Sequence, residues 1–285
     1  MHWHHANGRL SLDRPRILGI VNVTPDSFSD GGRLASVSDA RRFIDTLIAD
    51  GADVIDVGGE STRPQGAKPV SADEELRRVM PVIEASVRDH PGVPVSVDTV
   101  KAIVADRALD AGASIVNDVS GFRLDPCMAA TCERRGAGVV LMHSRGDVAD
   151  MATFAHATYG DDPVADIIGE LRASVRSATE QGIDEQRIVI DPGIGFAKRG
   201  EHSLRVLAQL RRVVDIGCPV LVGVSRKRFI GEISGVAEPA ERVAGTIAAN
   251  VAALERGARL FRVHDVKPVR QALDVAWAIM QHETQ

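Results

Sequence analysis

PVSVDTVKAIVADRALDAGASIVNDV, residues 94–119, holds one complete strand–helix–strand unit. Residues 94–99 (PVSVDT) and 114–119 (SIVNDV) are short, apolar and rich in β-branched side chains, as buried strands are. Between them, residues 101–110 repeat their apolar positions with helical period. Gly112 follows, where a left-handed helix terminus is best served by a residue without Cβ. Each strand also carries a polar residue toward its C-terminal end, Asp98 in the first and Asn117 in the second.

The same alternation runs outward in both directions. Upstream lie strand candidates 16–22 (RILGIVN) and 53–58 (DVIDVG). Downstream lie 138–143 (GVVLMH), 187–191 (RIVID), 219–225 (PVLVGVS) and 259–264 (RLFRVH). Amphipathic stretches at 40–50, 76–88, 163–181, 204–214, 239–256 and 266–280 separate them. Ser38 offers a capping hydroxyl to the first of these, and Gly51, Gly182 and Gly257 follow three of them. Eight strands alternating with helices predict a (β/α)8 TIM barrel, and 285 residues suit one barrel of about 250. The alternative, an open doubly wound sheet, normally stops at about six strands. Asn7-Gly8 predicts a short N-terminal β-hairpin within residues 1–15 that caps the barrel bottom, leaving 16–285 as a single barrel domain. The histidines at 2, 4 and 5 also admit a purification tag.

Composition narrows the function classes. The 4% aromatic content, with abundant Val, Ile, Ala and Gly, suits parallel strands packed under helices. A net charge of −5 without any basic block argues against a nucleic-acid partner. No stretch reaches the roughly 18 apolar residues of a membrane span, and no signal peptide is expected. Cys127, Cys132 and Cys218 form neither an even framework nor a metal-ligand spacing. They are expected to be buried free thiols, the first two on one helix, in a reducing cytoplasm.

In a barrel of this kind chemistry gathers at the C-terminal strand ends. Polar residues fall there in every predicted strand: Asn22, Asp56, Asp98, Asn117, His143, Asp191, Ser225 with Lys227, and Arg262 with His264. The first two loops, 22–32 (NVTPDSFSDGG) and 58–64 (GGESTRP), are rich in Gly, Pro, Ser and Asp. The first exceeds the usual length of about 2–6 residues for such connections.

NVTPDSFSDGG, DVGGESTRP, SVDT, NDVSG, DPGIGF, SRK and RVHD occur in this order, each at a predicted strand end. Together they resemble the pterin-binding enzyme family, from about residue 17 to residue 278. The closest likeness is to members that condense a pterin methyl diphosphate with 4-aminobenzoate in folate biosynthesis. The resemblance implies that Asp98, Asn117 and Asp191 bind the amino-pyrimidine edge of the pterin. Ionised Asp beside Asn suits an edge of N–H donors and ring acceptors. It implies that Lys227, with Ser225 and Arg226 beside it, contacts the pterin near the second substrate. Met142 either stacks on the pterin ring or packs in the core. Arg63, Arg262 and His264, with Thr62, correspond to diphosphate-binding positions, and Arg suits bidentate oxygen contacts. A surface ion pair of Arg262 and His264 with Asp265 is the alternative. Asn22 matches a position that coordinates Mg²⁺, a hard cation suited to diphosphate oxygens.

By the same resemblance, diphosphate leaves the pterin methylene in an SN1-like step and the arylamine nitrogen then attacks. Stabilising the departing charge is the main catalytic task. Phe28, Pro64 and Phe196 are placed at the aminobenzoate pocket, each with loop or core packing as the other reading. Two departures stand out. Arg228 occupies a position where many relatives carry a small residue. The run 196–203 (FAKRGEHS) lacks the usual Gly before its lysine and the later Asn, and is expected to lead into a helix away from the reacting atoms. A homodimer through barrel helices is the implied assembly. A methyltetrahydrofolate:corrinoid methyltransferase shares barrel and pocket but by resemblance lacks the SRK lysine and the diphosphate cluster. A non-catalytic pterin-binding paralogue would be expected to lose residues of the two long loops, which this chain keeps.

Overall fold

A computed structural model of the chain describes residues 1–24, 36–61 and 69–282. Eight parallel strands form one sheet: β3 (Arg16–Asn22), β4 (Val54–Gly58), β5 (Val95–Asp98), β6 (Ile115–Asp118), β7 (Gly138–Met142), β8 (Ile188–Asp191), β9 (Leu221–Val222) and β10 (Leu260–Val263). Sequential strands pair from β3 to β8, and β10 lies between β3 and β9. A parallel bridge from Ile190 to Val220 joins the two ends, so the sheet closes into the expected (β/α)8 barrel.

Side-chain alternation divides each strand between two cores. Ile17, Val21, Ile55, Val57, Val95, Val97, Val139, Ile188, Val222 and Phe261 face outward and pack with the helix faces. Leu18, Val54, Ile115, Val140, Val189, Leu221 and Leu260 face inward and fill the lower barrel. The N-terminal hairpin, β1 (His2–His5) paired antiparallel with β2 (Gly8–Ser11), adds Trp3 and Leu12 to this inner layer. Trp3 is 0% exposed, and its indole N–H donates to the Arg187 carbonyl at 2.9 Å. The hairpin therefore plugs the barrel opposite the C-terminal strand ends.

Helix boundaries show where local chemistry overrode the periodic pattern. The first described helix runs Val37–Ala49 and is capped by Ser36, not Ser38, through a bond from the Asp39 N–H. The second runs Ala72–Asp89, earlier than its apolar stripe starts, because Ser71 caps it and acidic residues fill its first turn. The stretch 204–214 is two helices, Gly200–Ala208 and Leu210–Val214, meeting at Gln209. The seventh strand shrinks to Leu221–Val222. Helix Val243–Glu255 begins after a separate 3-10 turn at Pro239–Glu241, so the stretch 239–256 is not one helix. One thiol corrects the reading of three buried cysteines: Cys132 is buried and Cys218 partly buried, but Cys127 is exposed just before helix Met128–Arg135.

Candidate active site

Continuing the inward alternation upward from the lower layer predicts which side chains reach the barrel mouth. From Leu18 it passes through Ile20 to Asn22, and from Val54 to Asp56. In the same way Ile115 leads to Asn117, Val140 to Met142, Val189 to Asp191 and Leu260 to Arg262. Of the residues singled out at strand ends, Asn22, Asp56, Asp98, Asn117, Asp191 and Arg262 are thus upper inward positions of one barrel, whereas His143, next to inward Met142, points the other way. Asp118 is one step out of phase. It is fully buried, pushed up to about 6 by burial, and bonded to Ser120.

The centre of the site is an ion-pair triad. Arg262 donates from Nε to Asp56 Oδ2 at 2.6 Å and from Nη2 to Asp98 Oδ2 at 2.6 Å. Asn117 Nδ2 donates to the same Asp56 oxygen at 3.3 Å. Asp56 is 0% exposed and its other oxygen has no hydrogen-bond partner. Burial pushes the Asp98 carboxyl up to about 7, with Arg262 opposing and Asp56 reinforcing the shift. Burial alone would lower the Arg262 guanidinium, but Asp56 and Asp98 hold it above its ordinary value. The groups expected to read the pterin and to meet the diphosphate are therefore already joined. Asp265 takes no part, because it pairs with Arg226.

Across the mouth stands Asp191, 4% exposed. Its Oδ1 accepts the Gly193 N–H at 2.7 Å within a tight turn. Burial raises its carboxyl to about 6, against the Gly193 N–H and the charges of Lys227, Lys198 and Arg262. Gly193 sits at φ +65°, and a Cβ there would lie 1.9 Å from the His143 carbonyl oxygen, so only glycine fits this turn. Lys227 follows β9, and its Nζ lies 4.0 Å from the centroid of the Phe196 ring, a cation–π distance. Burial lowers the Lys227 amine to about 8, with Asp191 opposing.

Ser225 and His264 meet: the hydroxyl accepts the His264 backbone N–H at 3.2 Å and contacts Nδ1 at 3.0 Å. Met142, 5% exposed, packs with Val100, Val119 and Met151, and Phe196 packs against this cluster. Asn22 closes β3, half-buried. Arg228 lies 3.8 Å from the Phe154 ring centroid and pairs with Glu232 at 3.4 Å. Phe28, Thr62, Arg63 and Pro64 lie outside the described residues.

Two features escaped the sequence. Asp56 is visible at its strand but nothing local shows that it holds Arg262, 206 positions away. Lys198 is the larger surprise. Helix Gly200–Ala208 does follow it, yet the lysine itself is 1% exposed and turned inward against His143. The FAK spelling of the segment was the available signal, and it pointed away from the site.

Chemically, the mouth offers buried carboxylates and an amide suited to a flat heterocycle with adjacent N–H donors. The cations Arg262 and Lys227 and the imidazole of His264 suit an anion next to it. Among the described residues no group of three or more His, Cys, Asp and Glu could hold a metal. No helix among them is long and apolar enough to cross a membrane.

Residues 18–264 match the family described as Pterin binding enzyme. Dihydropteroate synthase of Bacillus subtilis (strain 168) is 46% identical over 257 residues, covering 90% of this chain and 86% of that protein. A dihydropteroate synthase structure from Xanthomonas albilineans with 4-aminobenzoic acid has TM-score 0.88 and 47% identity, covering 95% of each chain. Another from that organism, in complex with 7,8-dihydropteroate, has TM-score 0.87 and 43% identity, covering 98% of this chain and 99% of its own. The chain belongs to the pterin-binding enzyme family.

Proposed function

We propose that this member of the pterin-binding enzyme family works as a dihydropteroate synthase. It condenses (7,8-dihydropterin-6-yl)methyl diphosphate with 4-aminobenzoate, giving 7,8-dihydropteroate and diphosphate. Relatives at 46% identity carry that activity in their name, and related structures hold the aminobenzoate and the pteroate product. The observation that carries the reading is the Asp56–Arg262–Asp98 triad opposite Asp191 and Lys227 at the upper inward strand positions.

Asp98, Asn117 and Asp191 hold the pterin edge, and the carboxylates of Asp98 and Asp191 offset positive charge that develops on the ring. Arg262 and His264, with Arg63 and Thr62, take the diphosphate oxygens. The bond between pterin methylene and diphosphate oxygen breaks first, and its electron pair leaves with the diphosphate. The aminobenzoate nitrogen then bonds to the methylene carbon and gives up one proton. Lys227 and Ser225 stand beside the pterin, and Phe196, Phe28, Pro64 and Met142 supply apolar surface for the two rings.

Asn22 alone fits Mg²⁺ in a limited way: this ion takes one or two protein oxygens, several waters and substrate phosphates, not a cage of side chains. When bound there it neutralises diphosphate charge. A homodimer is the assembly we assign, supported by Val275 and Ile279, both well exposed on helix Val266–His282. The cytoplasm is the assigned compartment, in keeping with three unpaired thiols. The test is mass spectrometry of a reaction given both substrates, with and without Mg²⁺. A product of pteroate mass that grows faster with Mg²⁺ is expected; unchanged substrates refute the activity.

A further inference from the structure

A lysine is sealed behind the turn that follows β8. Lys198 Nζ contacts His143 Nδ1 at 2.8 Å and donates to the Phe196 carbonyl at 3.0 Å and the His143 carbonyl at 3.4 Å. An ammonium has three N–H donors, so each finds an acceptor. His143 Nε2 meets Glu170 Oε2 at 3.1 Å, which places the ring proton on Nε2 and leaves Nδ1 to accept from the lysine. Glu170 is also held by Arg145, whose guanidinium lies 4.1 Å from the centroid of the Tyr159 ring. Tyr159 donates to the Ala197 carbonyl at 3.0 Å and meets His202 edge to face.

This network grips the Asp191 turn from behind. The His143 N–H donates to the Asp191 carbonyl at 2.8 Å. A Cβ on Gly193, whose own N–H holds the Asp191 carboxylate, would stand 3.4 Å from Lys198 Nζ. We propose that Lys198 is a positioning residue: it fixes the turn from Asp191 to Phe196 and keeps a positive charge behind Asp191, so that the pterin meets a carboxylate. The proposal rests on the pterin-condensing function above.

Three cations act on Asp191: Lys227, Lys198 and Arg262. Lys227 and Arg262 are the two that the proposed function engages with substrate. Lys198 touches only protein, so its charge stays in place while the other two turn to the ligand. Burying an ammonium is costly unless it is bonded and paired. Here three acceptors and the carboxylates of Asp191 and Glu170 offset that cost. Burial draws Lys198 down to about 7, opposed by Asp191 and Glu170 and aided by Arg145 and Lys227. Burial and the Lys198 charge lower His143 to about 4, so it stays neutral and accepting, while His202 and Tyr159 are the other titratable groups nearby. The lysine is thus charged on the acid side, where Asp191 titrates.

The experiment compares the parent with Lys198→Gln and Lys198→Met over pH 5 to 9, reading kcat/KM for each substrate and the melting temperature. Lys198→Gln keeps amide donors for His143 and Phe196 but removes the charge. Its acid limb for pterin diphosphate is expected to move up by about one pH unit, a loss of about fivefold at pH 6 that nears tenfold at about pH 5 and closes above about pH 8. KM for 4-aminobenzoate should not change. Lys198→Met should show the same shift with a lower melting temperature. A limb that stays in place, or a loss equal at every pH or for both substrates, overturns the proposal. If neither variant folds, lysine-labelled NMR of the parent decides. Bound pterin fixes Asp191 as a carboxylate, so Lys198 should hold its proton to higher pH, and an unchanged titration overturns the idea. An inactive parent would remove the proposed function, whereas an active parent with an unshifted Lys198→Gln removes only the role of Lys198.

Discussion

Replacing Arg262 by Gln strips the bridging cation from Asp56 and Asp98, each bonded at 2.6 Å. Two carboxylates then face one pocket, one of them 0% exposed. Removing one partner of a buried pair costs about 3–5 kcal/mol. Protonation recovers part of this loss, which makes the deficit depend on pH. Asp98 already stands at about 7 against an ordinary 3.8, and losing Arg262 removes the main influence holding it down. A carboxyl raised in the folded state binds its extra proton there, so its contribution to stability declines as pH rises toward the folded value. Between pH 6 and pH 8 a group titrating at about 7 loses about 1.4 kcal/mol, whereas one lifted above about 8 loses up to about 2.7. The deficit of Arg262→Gln should therefore widen by up to about 1.3 kcal/mol across that interval, reaching about 4 kcal/mol at pH 8. Urea unfolding of both proteins at the two pH values measures it. A deficit under about 1 kcal/mol at pH 8, or one that narrows as pH rises, refutes the triad as described.

Other outcomes follow from the same structure. Trp3→Ala should lower stability by roughly 3–5 kcal/mol while leaving kcat/KM unchanged, since the plug lies at the far end of the barrel; denaturant melts beside kinetics check both. Gly193→Ala forces a methyl toward the His143 carbonyl and should weaken pterin binding in calorimetry; unchanged affinity would mean the turn is free to move. For the parent, kcat/KM for pterin diphosphate should fall as pH drops through about 6, where Asp191 takes a proton. Asp191→Asn should abolish that limb in the same pH series.

The barrel was legible because its evidence is local and repeated. Each strand is a short β-branched run, and each helix has its own stripe and terminus. The site's positions were legible for the same reason, since period-two alternation carries Val189 to Asp191 and Leu260 to Arg262. Partners were not. Arg262 meets Asp98 across 164 positions, and only barrel closure brings them together. Lys198 lies in a run expected to lead into a helix away from the reacting atoms, and nothing local shows its burial, since lysine is almost never fully buried unless paired and its partner His143 lies 55 positions earlier. Helix ends went astray where one residue decides them, as Ser36 does at Val37–Ala49.

The most direct measurement is the release of diphosphate and the formation of 7,8-dihydropteroate, followed together in one reaction. The account predicts equal amounts of the two, formed only when pterin diphosphate and 4-aminobenzoate are both present. Diphosphate release without pteroate, or neither product with both substrates supplied, would contradict it.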